Sequence, residues 1–292
     1  MALDLPPLEA LDGWLQTREH AEGGVRPRCE KQVVWADGAA RTPLAIVYVH
    51  GFSATGAEVR PLPDLVAEGL GANLYFARLT GHGQDGAAMG RARLPDWEAD
   101  VAEAVAIGRA LGQQIILMGC STGCTLITQY LATQGRAEDV AGVVHISPNF
   151  GLAHGLVQWV LQLPGIRRWG FLVAGRERSF EPVSPDHAAL WTVKYDIQAV
   201  YTMADAVRAA VAAPVDAITA PAYFAFCEED EVVSAARTKS VMRRWGGSVT
   251  QDILVKGRND DAMGHVMAGD VFSPEQTSPL AERILRWART LD

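Results

Sequence analysis

The chain has 292 residues, 49% of them hydrophobic, enough to bury one large core with room for an insertion. Lys and Arg number 26 against 34 Asp and Glu, and the resulting charge of −8 argues against nucleic acid or an anionic membrane surface as the main partner. The four cysteines (Cys29, Cys120, Cys124 and Cys227) form no CxxC pair and share no paired histidine spacing, so no zinc site is expected.

The first residues, through Pro7, lack the basic and apolar segments of a secretory leader, and the expected location is the cytoplasm. Residues 1–30 mix turn formers with scattered apolar side chains and receive no assignment. Gln32 to Ala36 fits an edge strand. Leu44 to Val49 is a continuous apolar run of strand length, as expected for a strand covered on both faces, and it leads directly into His50-Gly51-Phe52. Val59, Leu62, Leu65, Val66 and Leu70 recur at helical spacing, with Pro61 and Pro63 placing the helix start near them. Asn73 to Leu79 reads as a strand ending in the loop Thr80-Gly81-His82-Gly83. Trp97, Val101, Ala104, Val105 and Gly108 mark the next helix, with Asp96 and Glu98 suiting its N-terminal dipole.

Ile115 to Gly119 is another buried-type strand. It runs into Gly119-Cys120-Ser121-Thr122-Gly123, after which Leu126, Ile127, Tyr130 and Leu131 repeat at helical spacing. Strand, sharp turn and helix is the context of a nucleophile elbow, where flanking glycines let the backbone close tightly around a serine. Cys120 and Cys124, beside this turn, read as small apolar fillers. Val140 to Ile146 forms a further strand. The alternation implies an α/β fold: a doubly wound, mostly parallel sheet with helices on both faces.

From Gly151 to Pro214 the alternation stops. This segment is helical in pattern, carries Trp159, Trp169, Phe171, Trp191 and Tyr195, and shows no convincing strand. Residues 151–214 are therefore expected to form an inserted helical cap, with 1–150 and 215–292 as the core domain. No charged side chain occurs between Asp139 and Arg167, but Pro148, Asn149 and His154 interrupt that stretch, so no transmembrane segment is expected. The sheet pattern resumes at Ala222 to Cys227, followed by a helix over Ala235 to Trp245 and a strand over Val249 to Val255. Ser278 as N-cap and Pro279 at the first helical position are expected to open a last helix carrying Leu280, Ile284, Trp287 and Leu291.

A serine hydroxyl is a weak nucleophile and needs a base that a carboxylate orients. For an elbow on such a sheet the expected chain order is Ser, acid, His. Of seven histidines only His265 follows the strand ending at Cys227, in the loop Met263-Gly264-His265-Val266. The acid is drawn from Glu228, Glu229, Asp230 and Glu231, with Asp230 favoured and Glu228 or Glu229 next. Asp252 falls inside a strand, and Asp260 and Asp261 lie close to the histidine in sequence. Two N–H donors must stabilise the oxyanion: the Thr122 amide, directly after the nucleophile, and the Phe52 amide, in the loop after the first central strand. The Thr122 side chain is expected on the pocket floor. His50 and His82 read as structural.

Together these features resemble the α/β-hydrolase superfamily: His50-Gly51-Phe52, Leu79-Thr80-Gly81-His82-Gly83, Asp96-Trp97, Gly119-Cys120-Ser121-Thr122-Gly123, Glu229-Asp230-Glu231-Val232-Val233 and Gly264-His265-Val266. Within it the chain is similar to carboxylesterases and monoacylglycerol lipase-like enzymes over residues 42–291. The resemblance implies Ser121 as nucleophile, Asp230 as acid, His265 as base and the Phe52 and Thr122 amides as oxyanion hole. It implies hydrolysis of a small-molecule ester, apolar in its acyl part, without cofactor. Thr122 stands where these lipases commonly carry Met, which bears on substrate identity. The same triad would also serve C–C bond hydrolysis, acyl transfer or perhydrolysis, and a hydrolase-like scaffold can bind a small molecule without turning it over.

Overall fold

The computed structural model describes residues 3–134, 138–161, 163 and 165–291. Met1, Ala2, Gln162, Pro164 and Asp292 belong to stretches read above and lie outside the described residues. The first half of the chain runs α1 (Leu8–Glu22), β1 (Gln32–Val34), β2 (Thr42–Val49), α2 (Leu62–Leu70), β3 (Asn73–Phe76), α3 (Gly86–Arg91), α4 (Leu94–Leu111), β4 (Gly112–Cys120), α5 (Thr122–Gln134) and β5 (Val140–Ile146). Five helices and a hairpin follow: α6 (Gly155–Val160), α7 (Ile166–Trp169), α8 (Phe171–Ala174), β6 (Glu177–Ser179), α9 (Pro185–Leu190), β7 (Lys194–Asp196) and α10 (Gln198–Ala212). The chain then returns to the sheet through β8 (Ala222–Cys227), α11 (Ala235–Met242), β9 (Val249–Leu254) and α12 (Pro274–Ala288).

Seven strands form one sheet in the order β1-β3-β2-β4-β5-β8-β9, parallel throughout except for the β1 edge. The continuous apolar strands sit at its centre because both faces are covered. Val47, Val49, Ile115, Leu117 and Val143 point toward Trp97, Val101 and Ile127 of α4 and α5. Their neighbours Ile46, Tyr48, Ile116, Met118 and Val144 point the other way, toward Leu62 and Val66 of α2 and Leu280 and Ile284 of α12. Alternation on a pleated strand feeds two cores at once, and each buried Leu, Ile or Val adds about 1.5–3 kcal/mol.

Besides the short helix α3, which the sequence reading does not assign, three regions differ from that reading. Residues 8–22 form a helix whose Leu11 and Leu15 enter the core and whose buried Glu19 grips buried Arg78 through two hydrogen bonds of 2.7 and 2.8 Å. The segment after β5 is not wholly helical: β6 and β7 pair antiparallel, with Glu177 facing Asp196 and Ser179 facing Lys194. The last helix starts at Pro274, not Pro279, which lies inside it. Ser273-Pro274 repeats the same Ser-Pro start signal five residues upstream of Ser278-Pro279, and near the start of a helix a proline sacrifices only one backbone hydrogen bond.

Candidate active site

Residues 119–123 make the turn from β4 into α5, with Ser121 at φ 50°, in the left-handed region that side chains avoid. The flanking glycines are needed for space: a Cβ on Gly123 would lie 2.0 Å from the Val49 carbonyl oxygen, and one on Gly119 would lie 2.8 Å from the Cys124 nitrogen. The turn is tied to the chain beyond β5, since the Ser121 amide donates to the Ile146 carbonyl at 3.0 Å and the Asn149 amide donates to the Ser121 carbonyl at 3.1 Å. A strained serine persists where such contacts over-determine it.

Three groups far apart in sequence meet at this turn. His265 Nε2 lies 3.0 Å from Ser121 Oγ, and His265 Nδ1 lies 2.8 Å from Asp230 Oδ2. Asp230 being an acceptor, Nδ1–H donates to it, which leaves Nε2 free to accept from the serine hydroxyl. Asp230 is itself fixed, its Oδ1 accepting the Val232 and Val233 amides at 2.8 Å each. Burial pushes the His265 pKa down, but the Asp230 charge and hydrogen bond, with Asp261 and Glu58 further off, reverse this and raise it above the usual histidine value.

The other acidic candidates lie elsewhere. Glu228 pairs with Lys239, and Glu229 is exposed. Asp252 sits in β9, accepting from Tyr223 and from Arg283. Asp261 stands next to the site with a different task. Its Oδ2 accepts the His265 and Val266 amides at 2.9 and 2.8 Å, and its Oδ1 accepts the Met263 amide at 3.2 Å, so it shapes the loop that presents the imidazole. From the sequence alone, Asp261 stands only as a candidate acid. Two residues of separation from the nearest of these amides, typical of an Asp side chain closing its own turn, is the available signal for the loop role.

His50 and His82 are buried beside the site. His50 Nδ1 donates to the Gly51 carbonyl at 2.8 Å, and its Nε2 accepts the Leu79 amide at 3.0 Å. Both ring nitrogens are thus occupied in the neutral form, and burial drops the pKa to about 4. His82 packs on Trp97 and Phe52 with ring centroids 5.3 and 6.2 Å away. Trp97 Nε1 and Asp100 meanwhile hold the Thr80 carbonyl and amide at 3.0 and 2.6 Å. These contacts fix the loop after β3 against the loop after β2.

Phe52 and Thr122 both adjoin Ser121, but their environments differ. Phe52 is half-buried and borders the cavity above the serine, whereas Thr122 is fully buried and is not among the residues lining that cavity. The Thr122 side chain therefore does not form the pocket floor as expected: α5 starts there, and its first side chain turns into the protein. The cavity has a volume of about 1010 Å³. Ser121, His265 and Phe52 lie at its base, and Leu156, Val160, Ile166, Trp169 and Tyr201 line the far side. Apolar walls around a few converging polar groups are the usual make-up of a small-molecule site.

An alpha/beta hydrolase family model matches residues 46–277, a span that holds the whole arrangement. The chain belongs to the alpha/beta hydrolase family. This alpha/beta hydrolase is 36% identical over 109 residues to the thermostable monoacylglycerol lipase of Bacillus sp. (strain H-257), a match spanning 37% of this chain and 42% of that protein. Solved structures share the fold. A structure described among the metagenome-derived lipolytic enzymes LipS and LipT superposes with a TM-score of 0.74 at 19% identity, over 91% of this chain and 99% of that one. The monoacylglycerol lipase of Paleococcus ferrophilus superposes with a TM-score of 0.63 at 15% identity, over 90% of this chain and 98% of that one. Among the described residues, no helix is long and apolar enough to cross a membrane.

Proposed function

We propose that this alpha/beta hydrolase is a serine carboxylic ester hydrolase acting on apolar acyl esters, of the carboxylesterase or monoacylglycerol lipase-like type. The observation that carries the proposal is the continuous contact from Ser121 Oγ through His265 to Asp230, at 3.0 and 2.8 Å, opening onto an apolar cavity. In the proposed reaction the Ser121 hydroxyl attacks the ester carbonyl carbon while His265 Nε2 takes its proton, and Asp230 stabilises the imidazolium. The Phe52 and Thr122 amides receive the oxyanion, each worth about 3 kcal/mol of barrier. The imidazolium then protonates the leaving alcohol. Water, activated by the same nitrogen, releases the acid from Ser121. Residues 151–214 act as a cap over a core made of 1–150 and 215–292, and their apolar side chains hold the acyl chain. The likeness to a monoacylglycerol lipase over 109 residues supports a lipid-like ester. The four free, buried thiols suit a reducing cytoplasm.

The test is a rate profile across p-nitrophenyl esters of increasing chain length, with monoacylglycerols beside them. The expected outcome is hydrolysis by the native enzyme and a loss of about 10⁴-fold or more in Ser121→Ala. Covalent labelling by a fluorophosphonate should occur in the native protein and be absent from the variant. Undiminished hydrolysis by Ser121→Ala would remove the assignment.

A further inference from the structure

Beneath Ser121 lies a carboxyl group with no part in the reaction just described. Glu58 is buried at 2% exposure, in the segment between β2 and α2. Two donors converge on its Oε1: the Gly51 amide at 2.5 Å and the Tyr48 hydroxyl at 2.8 Å. Its Oε2 lies where a Cβ on Gly51 would come within 3.0 Å of it, and that same Cβ would come within 3.1 Å of the Ser121 Cβ. Gly51 is therefore packed between the carboxyl and the serine, one residue before Phe52. The next residue, Ser53, sits at φ 62° and accepts the Thr192 amide at 2.7 Å on its carbonyl. A left-handed residue right after the donor peptide means that this loop is held from outside, since it would not choose that shape alone.

We infer that Glu58 is a positioning residue for the proposed ester hydrolysis, its carboxyl clamping the Gly51 amide so that the Phe52 amide points at the oxyanion. This rests on the proposed function. Without the carboxyl, the Gly51 N–H and the Tyr48 O–H would be left in a dry site with no acceptor, and unpaired buried donors are relieved by moving the loop. The oxyanion exists in the transition state and not in the bound ester, so displacement of the Phe52 amide lowers kcat and leaves KM little changed. An amide oxygen can accept the same two donors, so Glu58→Gln should recover most of the kcat that Glu58→Ala loses.

Charge adds an independent signature. The titratable groups facing Glu58 are the Tyr48 hydroxyl from β2, the Cys120 thiol from β4, Cys124 from α5, and His265 from the loop after β9. Burial lifts the Glu58 pKa to about 7, so the group ionises in the working pH range, and its anion raises the His265 pKa. Removing that anion should let His265 deprotonate, and the rate rise, at lower pH.

The experiment compares the native enzyme with Glu58→Ala, Glu58→Gln and Ser121→Ala on one p-nitrophenyl ester from pH 5 to 9, with melting curves alongside. Glu58→Ala is expected to lose at least tenfold in kcat with KM within twofold. Glu58→Gln is expected to stay within about threefold, with its acid limb displaced to lower pH. Glu58→Ala within twofold of native kcat, Glu58→Gln as impaired as Glu58→Ala, or a loss confined to KM would each overturn the positioning role. If Glu58→Ala does not fold, the Glu58→Gln profile decides: a displaced limb supports the role, and a limb coincident with the native one overturns it. Failure of the underlying reading looks different, because the native enzyme would then be inactive or Ser121→Ala would remain active.

Discussion

On the floor of the cavity, the Ser121 turn is held by backbone bonds, and the loops around it are tied by side-chain atoms that accept backbone N–H groups. Asp230 takes two amides, Asp261 three, His50 one and Glu58 one. The roof is built differently. Among the described residues between Gly155 and Ala174 it has helices of six, four and four residues, too short to be stable by themselves. Leu156 (74%), Leu172 (75%) and Val183 (69%) show much of their surface to solvent, and Trp159 is 57% exposed. Under the proposed function, the difference follows from what each surface must do. Reacting atoms need placement to a fraction of an ångström, which directional bonds give, whereas an acyl chain needs only apolar volume.

The largest effect that would break this contrast lies within the floor. Asp230→Asn should lower kcat by about 10³–10⁴-fold, because an amide can donate to the imidazole and stabilise the wrong tautomer. Steady-state kinetics with folding checked by circular dichroism would measure it. A loss under tenfold would mean that the His265 contact is not what orients the base. Asp261→Ala is expected next, at about tenfold in kcat and 1–3 kcal/mol in stability, since three amides lose their acceptor. Equal losses from Asp230 and Asp261 would erase the distinction between holding the imidazole and holding its loop.

The pH profile sharpens the same point. His265 must be neutral to accept a proton, and its pKa is raised, so kcat/KM of the native enzyme should fall as pH drops through a value above 6.5. The Asp261 charge contributes to that raise, so the acid limb of Asp261→Ala should move to lower pH. The sign for stability runs likewise. A histidine whose folded pKa is raised contributes stability that is complete below the unfolded pKa and is lost as pH climbs through the folded one. The smallest effect belongs to the roof. Leu156→Ser, at an exposed residue that lines the cavity, should leave the hydrolysis rate of short esters within about twofold, while altering the preference among long ones. Competition between short and long p-nitrophenyl esters would read it. A large loss on short esters would show that the roof, too, holds reactive geometry.

What the sequence made legible follows the same division. The central strands could be read because burial on both faces leaves continuous apolar runs such as Leu44 to Val49, and the Gly119–Gly123 turn because its geometry admits few side chains. Ser121 and His265 could be singled out from the order expected along the chain, with the acid left among residues 228–231, and it is the structure that brings Asp230 to the imidazole. The helix at Leu8–Glu22 escaped because its amphipathic pattern is faint and its buried Glu19 is paired with Arg78, 59 positions away. The hairpin of β6 and β7 escaped because its first strand is wholly exposed and carries no apolar alternation. Glu58 gave no sign in sequence, for nothing local shows that Tyr48, Gly51 and Cys120 surround it in the fold.

The Glu19–Arg78 pair gives the N-terminal helix an influence beyond its own packing. Arg78 Nη1 also donates to the His82 carbonyl at 3.2 Å, and His82 packs against Phe52. A buried guanidinium that loses its carboxylate costs roughly 3–5 kcal/mol, and the nearest relief open to Arg78 is to pull away from its loop. Trimming the first twenty-two residues would therefore be expected to loosen the His82 loop that packs against Phe52. Anyone engineering this protein should treat its first helix as the outermost brace of the proposed site.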